Sequence, residues 1–390
     1  MGKIFIDQKL FRIAIAFCCA IIPVFTGNYL LFAQEQSESI PPKVYTIAYF
    51  ESGPLSNYKA LLQVIFYGLM EEGWLTRTKI PKLGNPVDTQ ALWKWASANL
   101  SNEKIRFAPD FFYSSQWKEE QKQQEIKKIE ALSQSTQKPD LLIVMGPEAA
   151  LALTNTDPQI PLLVLESPHA RNLGIVKGNN FSERDNVFSL DLGAFTAKKV
   201  TFFHDLYKFK TMGMIYEDSP TGRISAGLKE IEDVSLEYGF RIVPCHIPNA
   251  AIHITLAKTK MYDCVLELAS KEIQSMYFTE HRGIAIDNIG SLVNILHKQG
   301  IPTFSDQGSE LVKYGVLMTL EPYRPIELGG IYAKIIIQAI DGVPLRNISQ
   351  QYDFHEIIAL NRAVSETYDF EIPFDVLSIA DTIYRTILQP

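Results

Sequence analysis

Fourteen residues of this 390-residue chain stand where polar chemistry could meet a small molecule, each just past an apolar run that reads as a buried strand. Glu51, Ser52 and Gly53 follow the run 44–50, Gly146 and Pro147 follow 140–145, and Glu166 and Ser167 follow 160–165. Glu217, Asp218 and Thr221 follow 211–216, Ser305 and Asp306 follow 301–304, and Glu321 and Tyr323 follow 316–320. A carboxylate accepts from an ammonium, while hydroxyls and free backbone N–H groups donate to a carboxylate. The set therefore suits a zwitterion, a cation or a polyhydroxy compound, with solvated turns as the plainer alternative. Tyr49, Phe50, Tyr216, Phe304 and Tyr323 offer rings that could stack on such a ligand or pack in the core.

The same residues do not spell catalysis. The seven histidines are scattered, and there is no His-Glu-x-x-His, Gly-x-Ser-x-Gly, P-loop or Gly-x-Gly-x-x-Gly pattern. No Cys/His grouping has zinc spacing. We expect no catalytic residue, no metal and no cofactor.

The elements that must hold these ends alternate strand and helix, the pattern of an open parallel sheet, which binds ligands beyond the carboxyl ends of its strands. Strands are expected at 44–50, 105–108, 140–145, 160–165, 211–216, 239–244, 262–268, 301–304 and 316–320, with an edge strand at 186–191. A helix after Asn57 places Leu61, Leu62, Ile65, Phe66 and Leu69 on one face, and a charged surface helix covers 116–134. A helix over about 325–339 carries Ile331, Ile335, Ile336 and Ala339 on its apolar face and stops at Asp341-Gly342. The helix after Pro147 would aim free N–H groups at the crevice, although the charge of Glu148 opposes an anion there.

The segment Gly300-Ile301-Pro302-Thr303-Phe304, then Leu311-Val312-Lys313-Tyr314-Gly315-Val316-Leu317, then Glu327-Leu328-Gly329-Gly330 and Gly342, resembles one family in order and spacing. It is that of the extracytoplasmic substrate-binding proteins of ABC transporters with a type I periplasmic-binding fold, the group that includes tryptophan and tyrosine binders. Asp140 to Ala150 and the closing stretch from Phe354 to Ile383 are also similar to it. Gly330 stands where the family usually has arginine, Pro147 where it has threonine, and the first-half loops differ.

The resemblance implies an α/β fold of two lobes, each a parallel sheet flanked by helices, with several chain crossovers at the hinge. Expected bounds are 44–168 for lobe 1, 169–315 for lobe 2, 316–345 for a return to lobe 1 and 346–390 for a return to lobe 2. It implies capture of a small polar, amino-acid-like solute between the lobes and delivery to an ABC permease by a monomer. A periplasmic receptor signalling through a membrane sensor is the alternative. Because the loops depart from the pattern, aromatic amino acid specificity is not carried over.

Composition is that of a globular chain, 46% hydrophobic and 21% charged, long enough for two cores. The net charge of −7 excludes nucleic acid as the expected partner, since phosphate binding needs clustered Lys and Arg. Lys3, Lys9 and Arg12 precede an apolar run over 13–25 and small and polar residues to Ala33, the order of a signal peptide cleaved after Ala33. The alternative is a membrane anchor, but Pro23, Gly27 and Asn28 interrupt the run short of the roughly 20 apolar residues a span needs. A periplasmic or other extracytoplasmic location follows. There Cys245 and Cys264 could pair; both could equally be buried small hydrophobes.

Overall fold

A computed structural model describes residues 43–389 except 86, 157, 179, 250, 251 and 353. The expected leader, residues 1–33, lies outside the described residues. Among those described, no helix is long and apolar enough to cross a membrane.

The first part of the chain runs β1 (Tyr45–Glu51), α1 (Ser56–Glu71), α2 (Thr89–Asn99), β2 (Ile105–Ser114), α3 (Glu119–Ser133), β3 (Leu141–Met145), α4 (Pro147–Thr154), β4 (Leu162–Leu165) and β5 (Val187–Ser189). These strands form a parallel five-stranded sheet in the order β2-β1-β3-β4-β5. Strand β3 is apolar at all five positions because both its faces are covered, the usual reading of a central parallel strand. β2 extends well past the expected 105–108. Its register against β1 shifts between Ile47 and Tyr49, and it takes Pro109 on the sheet's edge, where no ladder donor is missed.

The chain continues through α5 (Gly193–Tyr207), β6 (Thr211–Tyr216), α6 (Pro220–Ser225), α7 (Leu228–Tyr238), β7 (Arg241–His246), α8 (Ile254–Ser270), β8 (Ser275–Phe278), α9 (Ile286–His297), β9 (Thr303–Ser305), α10 (Ser309–Lys313) and β10 (Met318–Glu321). Then come α11 (Pro325–Ile340), β11 (Ile357–Asn361), α12 (Arg362–Tyr368), α13 (Phe374–Ile379) and β12 (Thr382–Tyr384). The second sheet has seven strands in the order β12-β11-β10-β9-β8-β6-β7, parallel apart from the antiparallel pair β10–β11.

Two expected bounds are corrected by strand pairing. β5 pairs with β4, so the chain leaves the first sheet after Ser189 rather than at 169. β10 pairs with β9 and β11, so the return begins after Glu321 rather than at 316. The return itself is α11, whose Tyr332, Ala333, Ile335 and Ile336 share one apolar core with Ile65 and Phe66 of α1. The two helices touch at glycines: a Cβ on Gly68 would lie 2.4 Å from the Gly329 carbonyl oxygen. A third crossing then leads to β11.

The expected strand at 262–268 is instead helical, inside α8. Met261, Cys264, Val265 and Leu268 are buried at the i, i+3, i+4, i+7 spacing of one helix face. The strand is β8, the apolar run that follows. A disulfide joins Cys245 of β7 to Cys264 of α8, with their Cα atoms 5.8 Å apart.

Candidate functional site

The carboxyl ends of both sheets open on one cleft of about 1110 Å³. Nine of the fourteen expected residues line it: Ser52, Pro147, Glu166 and Ser167 from the first sheet's loops, then Glu217, Thr221, Asp306, Glu321 and Tyr323. The other five do not.

Glu51 is fully buried, held by the hydroxyls of Tyr49 (2.7 Å), Thr89 (2.9 Å) and Ser114 (2.9 Å). Burial pushes its carboxyl up to about 7 against those three donors. Thr89 and Ser114 border a separate, smaller hollow of about 580 Å³. Gly53 serves by having no side chain, since a Cβ there would lie 2.3 Å from the Trp117 indole nitrogen. Gly146, at φ +82°, likewise makes room for the Tyr58 hydroxyl, which would lie 2.0 Å from an added Cβ. Asp218 is exposed and pairs with Arg223. Ser305 is buried, its hydroxyl accepting from the Gln307 backbone and its carbonyl from Thr319. Of the five aromatic candidates, Tyr49, Phe50 and Phe304 are core, and Tyr216 and Tyr323 line the cleft.

The cleft's centre is acidic and comes from both sheets. Glu166 follows β4 and Glu280 follows β8. The Asn57 side-chain amide, on the first turn of α1, donates to Glu166 at 2.9 Å and to Glu280 at 3.4 Å. Burial, joined by the Glu166 charge, pushes Glu280 up to about 8, and burial raises Glu166 as well. Asp306 goes the other way. Burial would raise it, but the Lys199 ammonium at 2.6 Å and the Tyr277 hydroxyl at 3.0 Å hold it below its ordinary value. Perturbed carboxyls grouped in a crevice are a mark of functional sites.

Trp117 comes from the loop after β2 and Arg282 from the loop after β8, and they meet face to cation. Gln116, Trp117 and Glu166 all have φ between +49° and +63°, a left-handed backbone that costs a side-chain-bearing residue about 1–2 kcal/mol. Such strain gathers at ligand clamps and switch regions. Two other lining carboxylates have structural work. Glu321 accepts from the Ser309 backbone N–H at 2.5 Å and so caps α10. Glu217 accepts from Ser219 (2.8 Å) and from the Asn249 backbone (2.6 Å).

Asn57, Trp117, Lys199, Glu280 and Arg282 also line the cleft and are not among the fourteen strand-end candidates. A strand at 262–268 leaves the loop at 279–282, which follows β8, outside any expected strand end. With β2 ended at 108, Trp117 fell outside any strand end. Lys199 lies inside α5, where strand-end logic does not look. Among the described residues no group of three or more His, Cys, Asp or Glu could hold a metal ion.

No family model matches this chain, and no curated protein matches it. Solved structures do. An ABC domain in complex with L-Trp from Streptococcus pneumonia aligns at a TM-score of 0.65 with 16% identity, covering 87% of this chain and all of that one. A ligand-free, open substrate-binding protein with adhesive properties from Clostridium difficile aligns at 0.54 and 16%, covering 88% and 100%. A Caulobacter myo-inositol binding protein bound to myo-inositol aligns at 0.51 and 11%, covering 83% and 96%. Likeness at such identities shows fold: this chain has the two-lobe type I periplasmic-binding fold.

Proposed function

We propose that the chain is an extracytoplasmic solute-binding protein that closes on a small polar solute and presents it to an ABC permease, acting as a monomer and without catalysis. The observation that carries this reading is the sharing of one amide, that of Asn57, between Glu166 of one lobe and Glu280 of the other. Groups from both lobes converge on the same few ångströms of the cleft, so a solute bound there touches both. Contacts to both lobes favour the closed state over the open one, and that differential affinity is what a permease can read. The disulfide between Cys245 and Cys264 supports an oxidising compartment.

Small-angle scattering of the purified chain tests this. Addition of a bound solute should shrink the radius of gyration as the lobes close, with no conversion of the solute on prolonged incubation. A chemically altered solute recovered in proportion to protein and time would count against the reading.

A further inference from the structure

We propose that the solute is an organic cation, an amine or guanidine of net positive charge, whose nitrogen lies between Glu166 and Glu280 and ties the lobes together. This rests on the solute-capture reading and deepens it.

The two carboxylates converge on one neutral donor. Asn57 offers a single NH2 to four carboxylate oxygens. Among the described residues neither Glu166 nor Glu280 has an ion-pair partner, because Lys199, the nearby cation, is engaged by Asp306 at 2.6 Å. An ammonium or guanidinium beside the Asn57 amide would donate charge-assisted hydrogen bonds to both carboxylates. A neutral zwitterion fits less well, since its own carboxylate would enter a space already holding Glu166, Glu280 and Asp306.

A second, independent observation points to a ligand at the same place. Ser167, next in sequence to Glu166, lines the cleft and is 4% exposed, and among the described residues its hydroxyl has no hydrogen-bond partner; the same holds for Ser52. Buried hydroxyls are normally satisfied. The rings of Tyr58, Tyr323 and Tyr332 also border the cleft, and aromatic faces attract cations.

Binding then displaces a proton. Glu280 lies within electrostatic reach of Glu166, Asp306, Lys199, Tyr58 and Tyr323, and Tyr332 within reach of Glu166. With Glu280 raised to about 8 by burial, the pair holds a proton near neutral pH. The entering cation takes over its role, and the proton leaves to buffer.

The test is calorimetric titration of the purified chain at pH 7 with agmatine, putrescine and L-arginine, set against L-tryptophan and myo-inositol. Each titration is run in two buffers of different protonation heat. The expected result is binding of the cationic probes with release of up to about one proton, and an affinity loss of about a hundredfold in Glu166→Gln and in Glu280→Gln. Proton release is read on the unaltered protein, so it does not depend on either variant folding. Binding of myo-inositol or L-tryptophan with no binding of the cations overturns this proposal and leaves solute capture standing. Cation binding without proton release and unchanged in both variants also overturns it. No binding by any probe counts against both readings.

Discussion

The Arg282 guanidinium carbon sits 4.6 Å from the centroid of the Trp117 ring, a cation-π contact between two residues that line the cleft. One partner belongs to the loop after β2 and the other to the loop after β8, so the contact exists only when the lobes are near each other. It is worth about 0.5–2 kcal/mol depending on how dry the pair is. Trp117→Ala should therefore favour the open form and weaken solute affinity by up to about tenfold. Scattering of the variant should give a larger radius of gyration than the parent. An unchanged radius and affinity would show that the contact does not hold the lobes.

The Glu166–Glu280 pair makes stability depend on pH. The Glu280 carboxyl is raised from its ordinary value of 4.5 to about 8, so the folded protein holds a proton that the unfolded chain has lost. Its contribution is fully present below about pH 4.5 and is lost as pH rises through about 8. Buried His281 and His297 act oppositely: burial lowers them to about 4 and about 3, so their contribution is present above pH 6.5 and lost as pH falls. Comparison of parent with Glu280→Gln separates the two effects. The variant should gain on the parent by roughly 1–2 kcal/mol between pH 5 and 9, a value reduced by solvent in the cleft. Parallel stability curves would refute the assignment.

Adjacent glycines on α11 should behave differently. A Cβ on Gly329 would meet the Val64 carbonyl oxygen at 2.3 Å, whereas one on Gly330 meets nothing within 4 Å. Gly329→Ala should cost about 1–3 kcal/mol by forcing α11 away from α1. Gly330→Ala should stabilise by up to about 1 kcal/mol through helix propensity. Urea denaturation of the two variants checks both signs.

Reduction of the Cys245–Cys264 disulfide should lower stability by about 3 kcal/mol, because it frees a loop with a sequence separation of 19. Melting in the presence and absence of a reductant measures this. An unchanged midpoint would mean that β7 and α8 are held by packing alone.

Much of this fold can be read from local pattern. The run Leu141–Met145 is apolar throughout, and the buried face of α1 repeats at helical spacing, so each names its element without help from the rest of the chain. Local pattern misleads where two patterns coincide. The segment 262–268 is apolar enough for a strand, and only the wider spacing from Met261 to Leu268 reveals a helix. A strand placed there leaves Glu280 and Arg282 outside any strand-end loop. Glycines 53 and 146 stand at strand ends, but their part is to make room for Trp117 and Tyr58, a relation between residues far apart in sequence. Glu51 offers a charge at a strand end, and only the tertiary structure shows it enclosed by Tyr49, Thr89 and Ser114. Asn57 carried no sequence signal beyond helix initiation.

Solute capture is tested most directly by melting the purified chain against a panel of amines, amino acids, sugars and nucleosides. A solute present at about 100 times its Kd should add about 2.7 kcal/mol and raise the midpoint by several degrees. Such a shift is expected for one chemical class and is lost in Glu166→Gln. A flat midpoint across the whole panel would contradict it.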